Sequence, residues 1–242
     1  MSVELNGATT TIDDVVAVAR GAARVSVADA AEQRMAESRA IVERLAEGEP
    51  KYGISTGFGA LATVAIPADR RTALQLALIR SHAAGMGPAV ETEVVRAMML
   101  LRARTLTMGR SGARPRLAGA FVDLLNAGIS PMVPEYGSLG ASGDLAPLAH
   151  AAMALLGEGE VEYHGQRQPA ANALADAGLS PIDLVEKEGL ALINGTDGIL
   201  GMLCLAVHDS HRLLATADLA AAMTVDGLLA TDRPFAQDLQ IL

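Results

Sequence analysis

The residue types with the strongest potential for chemistry lie close together in residues 136–147, which read YGSLGASGDLAP. Three glycines, two serines and one aspartate crowd this stretch, and it contains no lysine or histidine. A phosphate-binding loop of the G-x-x-x-x-G-K-S/T type needs the missing lysine, and Asp144 would repel an anion. A serine nucleophile elbow needs G-x-S-x-G, but Asp144 stands where the last glycine should follow Ser142. An isolated Ala-Ser-Gly is most often an ordinary turn, here with Asp144 capping the next helix.

The remaining alternative makes the backbone itself a reactant. If the Gly143 nitrogen attacks the Ala141 carbonyl carbon, ring closure and dehydration of Ser142 yield a five-membered imidazolone that carries a methylidene group. Gly143 has no Cβ and allows close approach, Ala141 is small, and Ser142 supplies a β-carbon with a removable hydroxyl. Strain in the loop would supply part of the driving force. The product is a strong electrophile, which no standard side chain provides.

The elements that must hold this loop are predicted to be mainly α-helices. Alanine and leucine dominate the apolar residues, as is typical of packed helices. Ser26 and Asp29 have the spacing of a capping box, and helical apolar spacing continues from there to Gly48. Further helices bounded by proline or glycine are predicted over 68–84, 89–106, about 116–126 and 145–157.

Three other segments complete the expected organisation. Residues 51–66 are rich in glycine and hydroxyl residues and predict an ordered loop, whereas the alternation in 160–168 indicates a small hairpin. A long helix begins near Thr196 or Asp197, and its first half is apolar on most faces, which is typical of a helix buried in a bundle. No repeat, low-complexity segment or linker divides the chain.

Composition excludes several classes of function. Half of the 242 residues are apolar, which is enough for a substantial core, and the lone Cys204 lies in an apolar stretch where a buried, inert thiol is expected. A net charge of −9 with three tyrosines, three phenylalanines and no tryptophan argues against a nucleic-acid surface. The sequence has neither a membrane-spanning apolar run nor a signal peptide at its start, so we expect a cytoplasmic protein.

Four motifs together resemble one known family. Residues 137–150, GSLGASGDLAPLAH, are similar to the signature of the aromatic amino acid ammonia-lyases, whose methylidene-imidazolone (MIO) prosthetic group forms from an internal Ala-Ser-Gly. Three other stretches also resemble motifs of the family, in the same order and with similar spacing: YGISTGFG (52–59), SHAAGMG (81–87) and EKEGLALINGTDG (186–198). The likeness covers the whole chain and is greatest to bacterial histidine ammonia-lyases.

This resemblance has consequences for the fold. It implies that residues 1–242 are the N-terminal portion of such a lyase, with the C-terminal half absent. The expected architecture is mainly α: a truncated long-helix bundle of the aromatic amino acid lyase type. Its glycine-rich loop would carry the prosthetic group, and at most a small β-hairpin would accompany the helices.

The resemblance also implies a reaction, the non-oxidative deamination of L-histidine to urocanate and ammonia, which is the first step of histidine degradation. Ala141, Ser142 and Gly143 would form the MIO autocatalytically. Tyr52 matches the family's catalytic base, which its glycine-rich loop would hold over the substrate. Without the resemblance, an exposed loop tyrosine would be expected only to pack by its ring.

Two further residues match substrate-binding positions of the family. His82 follows a serine, and in histidine lyases this pair corresponds to contact with the substrate imidazole, so His82 is the expected specificity determinant. Taken alone, His82 would be a cation at a helix C-terminus or a core histidine. Asn194 matches an asparagine near the amino acid end of the substrate and the MIO, although a turn or cap would be equally reasonable alone. Asp144 would support cyclisation or cap a helix.

The implied mechanism needs no metal. His208 and His211 are three residues apart on one predicted helix, but no carboxylate or thiol pattern completes a ligand set, so they indicate a polar helix face. Family members are roughly twice as long, and the missing half carries the arginine that binds the substrate carboxylate. They are also tetramers whose sites combine several subunits, so a homo-oligomer is expected.

Two alternatives stay open at this point. Since a histidine near position 82 can also receive a phenol, the chain could be a tyrosine ammonia-lyase or an MIO-dependent aminomutase. In a different class, an inactive fragment with an uncyclised Ala-Ser-Gly would act only as a helical assembly module.

Overall fold

The structure is a computed structural model that describes residues 2–21 and 23–240. The described residues form nine α-helices, which in chain order are α1 (Ile12–Ala19), α2 (Asp29–Ala46), α3 (Ala68–His82), α4 (Thr92–Thr107), α5 (Pro115–Ala127), α6 (Leu145–Leu155), α7 (Ala170–Asp176), α8 (Glu188–Ile193) and α9 (Asp197–Gly227). They also form seven short strands, which are β1 (Ser2–Leu5), β2 (Arg24–Val27), β3 (Met86–Ala89), β4 (Ser130–Pro131), β5 (Pro134–Tyr136), β6 (Glu160–Tyr163) and β7 (Gln166–Pro169). The prediction of a mainly helical fold is confirmed.

The strands pair in three small sheets. β1 and β2 are parallel, β3 pairs antiparallel with β5, and β4, β6 and β7 form an antiparallel sheet in that order. The predicted hairpin is the β6–β7 pair, and its turn places His164 and Gly165 at positive φ, as two-residue hairpin turns require. The other strands were not anticipated, because two to four residues are too few to show alternation.

One predicted helix start is wrong. Ser26 lies inside β2, where it pairs with Glu4, and α2 begins at Asp29 after Ala28 without a side-chain cap. Strand pairing with β1 removes Ser26 from the helix that its spacing with Asp29 suggested. A capping box is present at α1 instead, where the Thr11 hydroxyl accepts from the Asp14 amide (3.1 Å) and the Asp14 carboxylate accepts from the Thr11 amide (2.9 Å).

The centre of the fold is α4. Residues 95–103 are buried without interruption, and α4 packs against α1, α5 and α9. Two arginines lie within this buried run, Arg96 and Arg102, and both donate to backbone carbonyl groups of neighbouring elements. Burying a charged group costs free energy unless it is hydrogen-bonded, so these hydrogen bonds are needed for the two arginines to lie in the core.

The long helix α9 is buried along one stripe only. Its buried residues are Asp197, Gly198, Gly201, Cys204 and Leu205, whereas the apolar side chains of Ile199, Leu200, Met202 and Leu203 are exposed. The expectation that its first half is enclosed on most faces is therefore wrong for the described residues, since the other elements cover a single side. Within residues 2–21 and 23–240, α9 and the other helices lack the combination of length and apolarity needed to cross a membrane.

Asp144 connects the starts of two helices. It precedes α6 but makes no side-chain hydrogen bond to that helix, which corrects the expectation that it caps the following helix. Its buried carboxylate instead accepts hydrogen bonds from the Gly198 amide (2.8 Å) and the Ile199 amide (2.9 Å) in the first turn of α9. A negative charge at this position also interacts favourably with the helix dipole. Asp144 thus caps a helix that begins 53 residues later in the chain.

His150 joins α6 to the segment that follows α3. Its Nε2 accepts a hydrogen bond from the Gly85 amide (3.1 Å), so this ring nitrogen carries no proton. Burial lowers the pKa of His150, which also favours the neutral ring. Glu160 and Arg167, which form an ion pair, line the same cavity of about 290 Å³. The opposite charges of these two cavity-lining side chains therefore offset each other.

Replacing Asp144 by alanine should lower the free energy of unfolding by about 1.5–3 kcal/mol, because the two α9 amides lose a charged acceptor. Asp144→Asn keeps an acceptor oxygen and should cost less. Urea unfolding followed by circular dichroism measures both changes. Asp218→Ala, at an exposed position on α9, is the control and should change stability by less than about 0.5 kcal/mol. Equal losses for Asp144→Ala and the control would contradict this role of Asp144.

The stability of the protein should depend on the protonation of His150. Its pKa is lower in the folded state than in the unfolded chain, where it is near the ordinary value of 6.5. The contribution is fully present above about pH 6.5 and is lost as the pH falls, because the unfolded chain takes up the proton first. Urea unfolding measures the free energy of unfolding at about pH 7.5 and at about pH 5.5. The decrease between these two pH values should be smaller for His150→Gln than for the parent protein.

The matched control for this measurement is His211→Gln, since His211 is exposed on α9. It should retain the pH dependence of the parent. If His150→Gln loses as much stability on acidification as the parent does, the neutral, buried state of His150 makes no contribution.

Candidate active site

Residues 137–144 form a closed loop immediately before α6. The Leu139 amide donates a hydrogen bond to the Gly143 carbonyl (2.9 Å), which brings the two ends of the loop together around residues 140–142. Gly140 and Gly143 have φ angles of 74° and 65°, a region that favours glycine because a side chain there would be strained. Both glycines are therefore required by the backbone of the loop.

The tightest bend of the loop is centred on Gly143. The Asp144 amide donates to the Ser142 carbonyl (2.9 Å), and together with the positive φ of Gly143 this bond defines a γ-turn. Such turns with positive φ at the central residue are rare and strained. The strain that the cyclisation hypothesis needs lies at the residue whose nitrogen would react.

The end of the loop rests against the beginning of α9. Gly143 forms a parallel bridge with Gly195, and the Asp144 amide donates to the Gly195 carbonyl (3.0 Å). A Cβ at Gly143 would lie 3.0 Å from Ile199 Cδ1 and 3.2 Å from Thr196 Cγ2, so the backbone is in close contact with these side chains. The loop cannot relax in this direction without displacing the start of α9.

Accessibility changes along the tripeptide. Ala141 is exposed, Ser142 is half-buried and Gly143 is buried. The reacting end of Gly143 is therefore shielded by protein, whereas the other end can be reached by a small molecule. This arrangement suits a group that forms inside the fold and then meets a substrate.

A cleft of about 650 Å³ adjoins the loop. Its wall combines the end of α3, the strand pair β3–β5, the loop and the beginning of α6, and the lining residues are Ser81, His82, Ala84, Met86, Glu135, Tyr136, Gly137, Ser138, Leu139, Leu145 and Ala146. The cleft is large enough for an amino acid. The structure thus brings His82 and the glycine-rich loop to one cavity.

His82 is held by hydrogen bonds at one side of its ring. Nδ1 lies 2.9 Å from the Leu78 carbonyl and 3.1 Å from the Ser81 hydroxyl, which itself donates to the same carbonyl (3.0 Å). A carbonyl accepts only, so Nδ1 carries the proton, and in the neutral ring Nε2 is an acceptor. His82 can therefore accept a hydrogen bond from a substrate group through Nε2.

Tyr52 lies on a separate loop, where its side chain is exposed although residues 53–57 are buried. Its hydroxyl accepts from the Gly59 amide (3.5 Å), and its ring meets Phe58 edge-on with a centroid distance of 6.2 Å. A Cβ at Gly53 would lie 3.2 Å from Leu190 Cδ2, so this loop packs against α8. The ordered loop predicted for residues 51–66 is confirmed. The hydrogen bond and the ring contact of Tyr52 both lie within its own loop.

Asn194 ends α8 and has an exposed side chain. It directly precedes Gly195, which bridges to Gly143, so the structure brings Asn194 next to the loop through the backbone. At the other end of α8, the buried carboxylate of Glu188 accepts from the Arg114 side chain (2.9 and 2.8 Å) and from two backbone amides. Bonds between charged groups raise the pKa of Arg114 and fix the position of the helix.

Sequence reasoning missed a buried ion pair beside this segment. Arg102 of α4 and Asp197 of α9 form an ion pair with side chains that are 2% and 7% exposed. An arginine inside the apolar run MMLLRARTL was the available signal, because such a residue must either leave the core or find partners within it.

Two remaining expectations concern groups away from the loop. Cys204 is buried, and burial raises the pKa of its thiol, as expected for an inert cysteine. His208 lies 3.6 Å from Asp13 in an ion-pair geometry. In the part of the chain that the structure describes, no three His, Cys, Asp or Glu side chains are grouped so as to hold a metal ion.

Comparison with known proteins relates this geometry to a family. Over 235 residues the chain is 54% identical to the histidine ammonia-lyase of Streptomyces griseus, covering 96% of this chain and 46% of that protein. It matches the crystal structure of histidine ammonia-lyase from Trypanosoma cruzi with a TM-score of 0.90 at 35% identity, over 99% of this chain and 46% of that one. The crystal structure of tyrosine aminomutase from Streptomyces globisporus gives a TM-score of 0.87 at 37% identity, over 93% and 42%.

The chain therefore spans about half the length of the relatives that it matches. The family model for aromatic amino acid lyases covers residues 10–242, which include all four motifs and the loop between β5 and α6. The long helices and the strained loop before α6 agree with this match. The chain belongs to the aromatic amino acid lyase family, whose members are carbon–nitrogen lyases.

Proposed function

We propose that residues 1–242 are the N-terminal portion of a histidine ammonia-lyase that converts L-histidine to urocanate and ammonia, the first step of histidine degradation. The observation that carries this proposal is the strained turn at Gly143, which is braced against the start of α9. The identity of 54% to a histidine ammonia-lyase supports the choice of substrate.

The residues of the loop fit an MIO group. The Gly143 nitrogen bonds to the Ala141 carbonyl carbon and one water leaves, and a second water leaves from the Ser142 side chain and α-carbon. The close approach of Thr196 and Ile199 to Gly143 leaves little room for a side chain at the closing position, and the positive φ of Gly143 also disfavours one, which suits a glycine nitrogen as the attacking group. When formed, the MIO supplies an electrophilic carbon that activates the amino acid for loss of ammonia.

Three side chains of this chain have proposed roles around that group. Tyr52 removes the β-proton of the substrate, a task for which its exposed side chain leaves the phenol accessible to a bound ligand. Asn194 contacts the amino acid end of the substrate, since it adjoins Gly195 and hence the loop. His82 accepts a hydrogen bond from the substrate ring through Nε2.

The acceptor character of His82 also supports a second candidate function. An imidazole N–H and a phenol O–H can both donate to Nε2, so L-tyrosine is an alternative substrate of a tyrosine ammonia-lyase or an aminomutase. The similarity to a tyrosine aminomutase at a TM-score of 0.87 favours considering it. We rank L-histidine first because of the higher identity to histidine ammonia-lyases.

Turnover is proposed to need residues outside these 242. A substrate carboxylate requires a cationic partner such as arginine, and the described residues that line the cleft beside His82 include no arginine or lysine. Exposed apolar residues on α9 are suited to further contacts, in line with a cytoplasmic homotetramer. By itself, the chain is therefore expected to be weakly active or inactive, and an assembly module with an open tripeptide is the alternative of another class.

Intact mass spectrometry of the purified chain tests the proposed prosthetic group. Cyclisation with dehydration removes two waters, so the measured mass should lie about 36 Da below the mass calculated from the sequence. Ser142→Ala removes the hydroxyl that must leave and should abolish this full deficit. Ser138→Ala, which alters a neighbouring serine of the same loop, should retain it. A parent protein at its full calculated mass would favour the assembly module.

An assay with separate L-histidine and L-tyrosine arms tests the substrate. Urocanate and coumarate have distinct ultraviolet absorption, so each product can be followed as it forms. The chain alone should form urocanate slowly or not at all and should form still less coumarate. Turnover in the ordinary enzyme range of about 1–10³ per second would contradict the need for further residues, and coumarate without urocanate would favour the second candidate.

A further inference from the structure

The side chain of Arg102 holds the turn between α8 and α9. Its Nη1 donates to the carbonyl oxygens of Ala191 and Asn194, each at 3.2 Å, and its Nη2 pairs with the carboxylate of Asp197. The Thr105 hydroxyl donates to the other carboxylate oxygen of Asp197 (3.2 Å). One buried guanidinium thus binds the last turn of α8, the residue after it and the first residue of α9.

Arg102 is also in direct contact with Gly195. A Cβ placed on Gly195 would overlap the guanidinium of Arg102 and the carboxylate of Asp197. The guanidinium therefore packs on the backbone of Gly195, and the absence of a side chain there makes this approach possible. The other side of Gly195 faces the loop, through its bridge to Gly143 and the hydrogen bond from the Asp144 amide (3.0 Å).

The chemistry of this contact suits positioning better than stability alone. A planar guanidinium can bind two carbonyls and a carboxylate in fixed directions, which the single ammonium of lysine cannot do. A buried ion pair is often no more stabilising than apolar residues of similar volume, and the Arg102 Nε is buried without a partner among the described residues. What the arrangement supplies is a defined place for Gly195 between α4 and the loop.

We propose that Arg102 is a positioning residue for the lyase reaction: it fixes the turn at 194–197, and through Gly195 it sets the position of Gly143 and Asp144 relative to Asn194. This inference rests on the proposed function for its catalytic meaning. Its structural content, the coupling of Arg102 to the Asp144 amide, does not depend on whether the tripeptide cyclises.

Arg96 provides a matched control on the same helix. It is also buried, and its guanidinium donates to the carbonyls of Val18 (2.9 and 3.1 Å) and Leu125 (3.3 Å). The Gly128 amide donates to the Leu125 carbonyl and to the Leu124 carbonyl, so its exchange reports on the end of α5 that Arg96 contacts, as the Asp144 amide reports on the turn that Arg102 contacts. Substitution of either arginine by methionine removes a buried cation from α4, and substitution by lysine keeps the charge without the planar guanidinium, but of the two arginines only Arg102 contacts the turn beside the loop.

The experiment compares Arg102→Lys, Arg102→Met, Arg96→Lys and Arg96→Met with the parent by amide hydrogen exchange and by intact mass. Both Arg102 variants should lower the protection of the Asp144 amide about ten- to a hundredfold relative to that of Gly128. Both variants should also lower the fraction of molecules whose intact mass lies two waters below the mass calculated from the sequence. The Arg96 variants should show the reverse pattern of exchange and keep the parent's fraction of dehydrated protein.

The outcomes separate this inference from the proposed function. Unchanged relative protection of Asp144 in folded Arg102 variants, with full dehydration, would overturn the positioning role. A parent that is not dehydrated would refute the proposed function, whereas the exchange pattern would still decide the coupling. If Arg102→Met does not fold, Thr105→Val can be used instead, because it removes only the hydrogen bond from Thr105 to Asp197. This variant should lower the protection of the Asp144 amide by a smaller factor. Unchanged protection of that amide in both Thr105→Val and Arg102→Lys would count against the proposal.

Discussion

The structure depends on one contact, in which the backbone at Gly143 and Asp144 meets the beginning of α9. Gly143 bridges to Gly195, and the Asp144 carboxylate accepts from the first free amides of the helix. Residues more than 50 positions apart in the chain are thereby held in direct contact. A strained turn persists only when its surroundings prevent relaxation, and this contact provides that restraint. The same residues thus cap the N-terminus of α9 and keep the strained loop from relaxing.

The two helices α4 and α9, which lie beside this contact, differ in how far they are buried. α4 is buried from residue 95 to 103, and the two arginines in this buried run, Arg96 and Arg102, donate to carbonyls of the surrounding elements. α9 is covered along a single stripe and exposes Ile199, Leu200, Met202 and Leu203. Other elements therefore cover α4 along residues 95–103, whereas the outer face of α9 carries exposed apolar side chains that are suited to a further partner.

Local signals predicted much of the helical framework. Gly128 ends α5 in the left-handed conformation, and the helices after Pro67 and before Gly157 begin and end near the predicted residues, because proline and glycine act through their own backbone preferences. The predicted capping box at Ser26 was wrong because strand pairing with β1 outweighed a local preference. The capping role of Asp144 was assigned to the wrong helix, since its true partners, Gly198 and Ile199, are distant in sequence.

The sequence by itself singled out the Ala141-Ser142-Gly143 tripeptide and the mainly helical class, because these follow from residue type, order and local period. It pointed to Tyr52, His82 and Asn194 only through the resemblance of their motifs to those of the aromatic amino acid lyases. The tertiary structure alone decided what lies against the loop: Gly195 bridges to Gly143, and Arg102 and Asp197 in turn pack on Gly195, all through long-range packing. It also decided the proton position on His82, because the Leu78 carbonyl must accept from Nδ1. Contacts between distant segments depend on how whole helices pack, and local sequence periodicity carries no information about those partners.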